Sequence, residues 1–565
     1  MTKKMEYKSP LAKRPPAHRS QRILLILTLS MATMLTLRYW YSLGILATLW
    51  TVVSSSPAAR HRCKAGDECW PSAQEWASFN SSVNGQLIRS YPAAAVCHAN
   101  HYSEELCAIA KERWDDSFWR TSQPGAYAAI VWELGNDQCF INSTIDSPCG
   151  QGLVAQYSLN VSNIEDIQAG IRFAAERNLY LVIKNTGHDH LGRSSGDGSF
   201  AIWTHNLKGR EWTKSFVPKN APSTVAGMPA VTLQAGEQWL DVYREAALHN
   251  VTVVGGSART VGAAGVSNTC WIFEAIANVC QGYLTGGGHS PFSHFYGLAV
   301  DNLLEANIVA PNGTGLTLNE YTDPEYFKAL RGGSGSAWGV ITSATYRTHP
   351  LPTHIQAVGI QANATSESGL RELYERILPL LPDITKAGYT GYATLDGQLG
   401  FIFLQANATN ATYEETFAPL NELRDIEGVE ILLTSPLVFP TWLDYGQYFL
   451  NDPNIATNIQ DASRLLTPDV LKNKSKELVD LIFDFPELGP GFNFMGAVNP
   501  AKRKETSVHP VWGESVGVFS LGVDWPDHAS AAEKRRLKKM LVEVSRRLEK
   551  IVGKGGGTYV NEANP

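Results

Sequence analysis

The sequence predicts an α+β fold, and three observations predict it. Residues 164–178 form an amphipathic helical pattern, with Ile167, Ile171, Phe173 and Ala174 on one side, and run into the apolar strand 180–183. A second such pair follows, helix 238–249 into strand 251–254. From His354 the alternation resumes as strand 354–361, helix 367–381, strands 389–395 and 399–406, and helix 413–426. Strand 515–523 and the charged helix 531–552 close it. Mixed strand and helix periods over so long a stretch argue against an all-β domain. Ahead of this block, residues 60–150 alternate Trp-rich helical pieces (74–79, 103–117) with loops and read as a lead-in.

Composition bounds the function. A chain of 565 residues holds two to four ordinary domains, and 44% apolar with 18% charged residues is globular. The net charge of −6 leaves no footprint for nucleic acid, and basic residues gather at the N-terminus and in helix 531–552. That helix reads as a solvated face.

Residues 1–22 carry Lys3, Lys4, Lys8, Lys13, Arg14, Arg19 and Arg22 against Glu6 alone, and read as a basic cytosolic tail. Residues 23–53 hold Arg38 as their one charge, which is long enough for a bilayer-spanning signal anchor. A cleaved signal ending near 54–59 is the alternative. The positive tail would put the remainder in the lumen of the secretory pathway or outside the cell, membrane-anchored in the first case and secreted in the second. Asn-X-Ser/Thr acceptors at Asn80, Asn142, Asn160, Asn250, Asn312, Asn363, Asn407, Asn410 and Asn473 agree with that route. So do Cys63/Cys69, Cys97/Cys107 and Cys139/Cys149, whose close spacing points to disulfides. Six cysteines allow fifteen connectivities, pairing of sequence neighbours among them.

The most informative segment is 181–206. An apolar strand enters a turn, Lys184-Asn-Thr-Gly-His-Asp-His190, followed by Gly192, Ser194 and Gly196. Glycines there let the backbone approach a bulky anion, and successive N–H groups in such a turn cradle phosphate. Two further glycine-rich stretches follow. One is 254–265 with its continuation Gly282-Tyr-Leu-Thr-Gly-Gly-Gly-His-Ser290 and 297–302; the other is Arg331-Gly-Gly-Ser-Gly-Ser-Ala-Trp-Gly-Val-Ile-Thr342.

These three stretches, in this order, resemble the flavin-binding loops of the FAD-linked oxidases of the vanillyl-alcohol oxidase and berberine-bridge-enzyme type, most closely a fungal secretory or membrane-anchored branch. The resemblance implies a PCMH-type FAD-binding domain over 151–352 and, over 353–565, an antiparallel-sheet substrate domain backed by helices. It implies FAD bound covalently through the 8α-methyl carbon to His188. Lys184, Asn185, Thr186, Gly187, Asp189, His190, Gly192 and Ser194 would contact it from the first loop. Thr260, Val261, Gly262, Gly265 and Gly282 would contact it from the second, and Val340 from the third. Ala258 stands where many relatives carry a second attaching cysteine, so attachment is expected through one histidine. The implied activity is hydride transfer from a small organic substrate, of the secondary-metabolite kind, to flavin, with reoxidation by molecular oxygen. The base is not assigned; Tyr389, Tyr392, Tyr445 and Asp444 fall on expected substrate-domain strands or loops.

Two departures bear on activity. Residues 266–281 interrupt the second loop; without them it reads Gly-Ala-Ala-Gly-Gly-Tyr-Leu-Thr-Gly-Gly-Gly-His-Ser. Val266-Ser267 can be encoded by GTRAGT, Ala277-Asn278 by GCTAAC and Cys280-Gln281 by TGTCAG, so a retained in-frame intron of sixteen codons competes with a natural insertion loop. The family pattern also continues past Pro565 with an aromatic and Asn-Tyr segment that touches the flavin ring, so the chain is expected to be truncated. A member that keeps the fold without activity is the alternative reading. Two rivals from other classes are weaker. A metal site of His188, Asp189 and His190 with His289 and His294 leaves the glycines without a role. A hydrolase elbow at Gly288-His-Ser290 has Phe292 for its last glycine and a proline directly after the serine.

Overall fold

A computed structural model describes residues 61–264, 282–333, 338–395, 399–450, 455–496 and 504–564, with residues 452 and 498 and the backbone of 268, 269 and 398. The expected tail 1–22 and the apolar stretch 23–53 lie outside these residues, as does most of 266–281. Among the described residues no helix is long and apolar enough to cross a membrane.

The lead-in begins with the helix Ala73–Ser82, started by a reciprocal Ser72–Glu75 capping box. Its Trp76 and Phe79 pack on Phe173 and Phe200, joining it to the first sheet. The cysteines pair with their sequence neighbours, Cys63–Cys69, Cys97–Cys107 and Cys139–Cys149. The expected helix over 103–117 is two pieces, Glu104–Glu112 and Ser117–Thr121, each opened by its own cap, Ser103 and Asp116.

The first sheet runs Leu87–Arg89, Tyr157–Asn160, Phe200–Trp203, Leu181–Lys184, Asn268–Thr269. Its three inner strands are parallel and both edges antiparallel. The helix Ile164–Glu176 supplies the crossover, capped by Asn163 and ended by Asn178 at positive φ. A parallel strand buried on both faces reads as an unbroken apolar run, as Leu181-Val-Ile does. The chain leaves its carboxyl end directly into the Asn185–His190 turn.

A second, antiparallel sheet orders Gly315–Leu318, Leu303–Val309, Val340–Arg347, Met228–Gln234 and Arg210–Phe216. The third is wholly antiparallel and eight-stranded. It orders Val429–Leu433, Ile355–Ala364, Gln398–Ala406, Thr390–Leu395, Gly489–Phe494, Gly517–Trp525 and Asn458–Leu466, with Leu437–Phe439 also on the Ile355 strand. Helices Glu367–Ile377, Ser475–Asp484 and Ala531–Val552 back it through Leu373, Ile377, Leu481, Leu541 and Val544. This is the mixed fold with an antiparallel substrate sheet that the sequence led us to expect.

Some bounds differ for local reasons. Helix 367–381 becomes 3-10 at Leu378–Leu380, where Pro379 has no amide to donate. Helix 413–426 is Asn410–Phe417 followed by a 3-10 turn containing Pro419. The expected strand 251–254 keeps only Val251–Thr252.

Candidate functional site

The Asn185–His190 turn sits where the first sheet faces the eight-stranded sheet. Among the described residues, the backbone amides of Asn185, Thr186, Gly187, His188, Asp189 and His190 donate to no protein acceptor. Among these residues, six successive N–H groups without a protein acceptor make a donor row suited to an oxyanion such as a pyrophosphate. Gly187 holds φ 84°, and its carbonyl accepts from Ala128 N at 3.0 Å, which fixes the turn. Gly192 holds φ 72°, and a Cβ there would lie 2.2 Å from the Trp132 ring. Gly196 differs from the expectation: its φ is ordinary, and the missing Cβ makes room for the Tyr180 ring.

Side chains of the turn divide into supports and ligand-facing groups. Asp189 closes it, accepting from Leu191 N at 3.1 Å, Ser194 N at 3.2 Å, Arg193 N and the Arg193 guanidinium. It therefore acts as a strut. Lys184 is wholly buried between the Tyr127 and Trp203 rings, with Nζ donating to Gln123 O at 2.9 Å. Burial pushes its amine down to about 7. Its side chain ties the lead-in to the loop's root.

Asn185 donates to Ala235 O, and its Oδ1 is buried without a partner, as is Ser194 Oγ. Buried polar atoms left unpaired in this way mark places for a polar ligand.

His188 is the hinge of the site. Its Nε2 lies 2.7 Å from Thr260 Oγ1, and Thr260 N donates to Asp452 at 3.1 Å. Burial pushes the imidazole down to about 4; Asp452 opposes this, while His190 and Lys184 reinforce it. The ring is uncharged at neutral pH. His190, two residues on, binds Asp461 of the eight-stranded sheet at 2.9 Å. Burial opposes its charge, but the Asp461 carboxylate outweighs burial and raises its pKa.

The second loop docks alongside. Val261 O accepts from Trp239 N at 3.2 Å, Gly262 bridges Gln238, and Thr260 O accepts from Gln238 Nε2 at 2.9 Å. Gly265 lies outside the described residues. Gly282 O accepts from Asn561 at 3.2 Å. Val340 stands apart, at the start of a strand of the second sheet beside an apolar cleft shared with Ile171, Leu181 and Ile183.

The sequence reading missed the chain's last turn. Tyr559 packs edge-on to His289 with centroids 4.8 Å apart. Asn561 links the two loops, donating to Gly282 O and accepting from Arg193 at 3.2 Å. Gly555-Gly-Gly-Thr-Tyr559 with its aromatic and Asn561 was the visible signal.

Of the tyrosines considered for the base, Tyr389 donates to Gln356 and Tyr445 stacks on Trp442. Asp444 serves the Thr441 helix cap. Tyr392 directs its buried hydroxyl toward Ser257 of the second loop. The elbow rival fails locally: Ser290 is buried and its Oγ accepts from Phe292 N within a turn. His188, Asp189 and His190 serve separate partners, so they do not converge as metal ligands.

Residues 155–272 match the family model described as an FAD binding domain. An FAD-linked oxidoreductase of Arthroderma benhamiae, itself uncharacterized, is 54% identical over 518 residues, 90% of this chain and 89% of that one. The FAD-linked oxidoreductase asqF of Emericella nidulans is 37% identical over 545 residues, 93% of this chain and 90% of its own. Among solved structures, the VAO-type flavoprotein MtVAO713 from Myceliophthora thermophila is similar with a TM-score of 0.78 at 26% identity, covering 89% of this chain and 90% of that one. Its counterpart MtVAO615 gives 0.77 at 27%, with the same coverage.

Proposed function

The chain belongs to the FAD-linked oxidoreductases of the vanillyl-alcohol oxidase and berberine-bridge-enzyme type, and from that membership we propose that it oxidises a small organic molecule of the secondary-metabolite class with FAD attached covalently to His188 and oxygen as final acceptor. The observation that carries this is the row of six amides, without a protein acceptor among the described residues, running into His188, an uncharged histidine in a buried setting.

When bound, flavin accepts the hydride that leaves the substrate carbon. The protein does the rest. Residues 185–190 hold the anionic part of the cofactor with backbone donors, and the Asn185 Oδ1 and Ser194 Oγ atoms have acceptor or donor capacity left for it. A neutral imidazole keeps the lone pair that a bond to the flavin methyl carbon requires, and Thr260 fixes the ring's orientation. Tyr243, Tyr283, Tyr392 and Tyr445 gather between the second loop and the eight-stranded sheet, an aromatic wall suited to an organic substrate. Three disulfides support an oxidising secretory compartment. The acceptor asparagines support N-glycosylation there, and residues 23–53 are its membrane anchor in this reading.

The test is the protein purified from a fungal host, denatured with acid and precipitated. Yellow flavin that stays with the polypeptide, and is lost in His188→Ala, is the expected result. Flavin left wholly in the supernatant sinks the covalent attachment; colourless protein sinks the cofactor. Carbonate-resistant pelleting with microsomes tests the anchor, and soluble protein beginning near residue 60 refutes it.

A further inference from the structure

After helix Ala531–Val552 the chain lies along strand Asn458–Leu466, with Leu465 N donating to Gly557 O at 2.8 Å and Thr558 bonded to Ser463 at 2.6 Å. It then turns between the second glycine loop and the eight-stranded sheet and delivers Glu562. One carboxylate oxygen is 3.0 Å from His289 Nε2. Asn493 Nδ2 donates to both oxygens at 3.4 and 3.3 Å. Among the described residues no lysine or arginine pairs with it. Its side chain keeps 20% of its surface, while His289 keeps 11%.

An ionised carboxylate only accepts hydrogen bonds, and two oxygens offer about four acceptor directions. Three contacts from two donors, two of them long, leave capacity unused. Beside Asn493, as its register partner on the adjacent strand, stands Tyr392, whose buried hydroxyl lies toward Ser257. A polar group entering here meets the carboxylate as acceptor, with the phenol of Tyr392 close to its Asn493 support. A second carboxylate would meet the like charge of Glu562.

We propose that Glu562, set by His289 and Asn493 beside Tyr392, is the subsite that receives the hydroxyl or protonated amine of the substrate and excludes carboxylate-bearing molecules. This rests on the flavoenzyme reading above and names the substrate class for that site. His289 and Asn493 are positioning residues in it.

Full-length protein carrying its flavin is titrated with benzylamine and with benzoate, and the flavin absorption spectrum reports binding. Benzylamine is expected to bind at least about tenfold more tightly than benzoate, the lower end of a charge-assisted hydrogen bond. Glu562→Gln, nearly the same shape, is expected to lose that preference with flavin content unchanged. Equal binding of both probes, no response to either, or a preference that survives Glu562→Gln overturns the subsite while the flavin reading stands. Absence of flavin from wild type overturns the flavoenzyme reading and the subsite together.

Discussion

His188 Nε2 and Thr260 Oγ1 meet at 2.7 Å, so the two glycine-rich loops, 72 residues apart in sequence, are joined side chain to side chain. The threonine hydroxyl fixes which way the imidazole faces. Thr260→Val keeps the shape and removes the bond. It is expected to retain flavin while the share that survives acid precipitation falls several-fold, read as flavin fluorescence of the polypeptide on a denaturing gel. An unchanged share would show that the ring is oriented by something else.

Two histidines of one turn titrate in opposite senses. His188, pushed down to about 4 from 6.5, stays neutral in the folded protein while the unfolded chain takes up a proton. Stability is therefore lost as pH falls from about 6.5 to 4, by about 3 kcal/mol. Burial gives His205, pushed down to about 3, the same sign. His190 is raised by Asp461, so its contribution is complete below 6.5 and fades as pH rises through its folded value. In flavin-free protein, His188→Gln should flatten the acid side of the melting-temperature profile, and Asp461→Asn should flatten the neutral side.

Arg120 and Glu133 form a fully buried pair at 2.6 Å, with Ala93 N and Tyr127 N also donating to the carboxylate. The pair braces the loop whose Ala128 holds Gly187. Removing one partner strands the other charge, which costs about 3–5 kcal/mol. Glu133→Gln should lower the denaturant midpoint accordingly and reduce flavin content. Replacing both, Arg120→Met with Glu133→Leu, should restore much of the stability.

Residues 266–281 stand between Ala264, which is buried, and Gly282, whose carbonyl takes Asn561. Within them, the Asn268–Thr269 backbone adds an edge to the first sheet against Val182 and Ile183. If the segment is a retained intron, its deletion raises flavin loading, and transcripts lacking those sixteen codons exist. Lower loading on deletion, with only the longer message, makes it a true structural element.

The loops were legible because glycine spacing, a buried apolar strand and one histidine are local features. Helix 531–552 was legible to the residue because Ser530 caps it and its apolar stripe is uninterrupted. Strands Val340–Arg347, Met228–Gln234 and Asn458–Leu466 escaped notice because threonine, serine, asparagine and aspartate interrupt their apolar runs. Only pairing within a sheet defines them. For Lys184 and Asp189 the sequence gives the neighbourhood of the side chain but not its direction, which is toward Gln123 O and toward Arg193. Asp461 and Glu562 were out of reach altogether, since their histidine partners lie 271 and 273 residues away.

The described chain begins stitched to the strand that ends at the cofactor turn. Cys63 N donates to Asn178 O and Tyr180 N to Cys63 O, both at 2.9 Å, and Ala65 N donates to Gly198 O at 3.0 Å. Any pull on the chain ahead of residue 62 is therefore delivered as shear on the very layer that holds His188. The Cys63–Cys69 clasp closes that attachment into a loop, so tension is shared by two segments before it reaches the turn. Cutting the clasp with a reductant should make grip on the flavin sensitive to load in a way that intact protein is not.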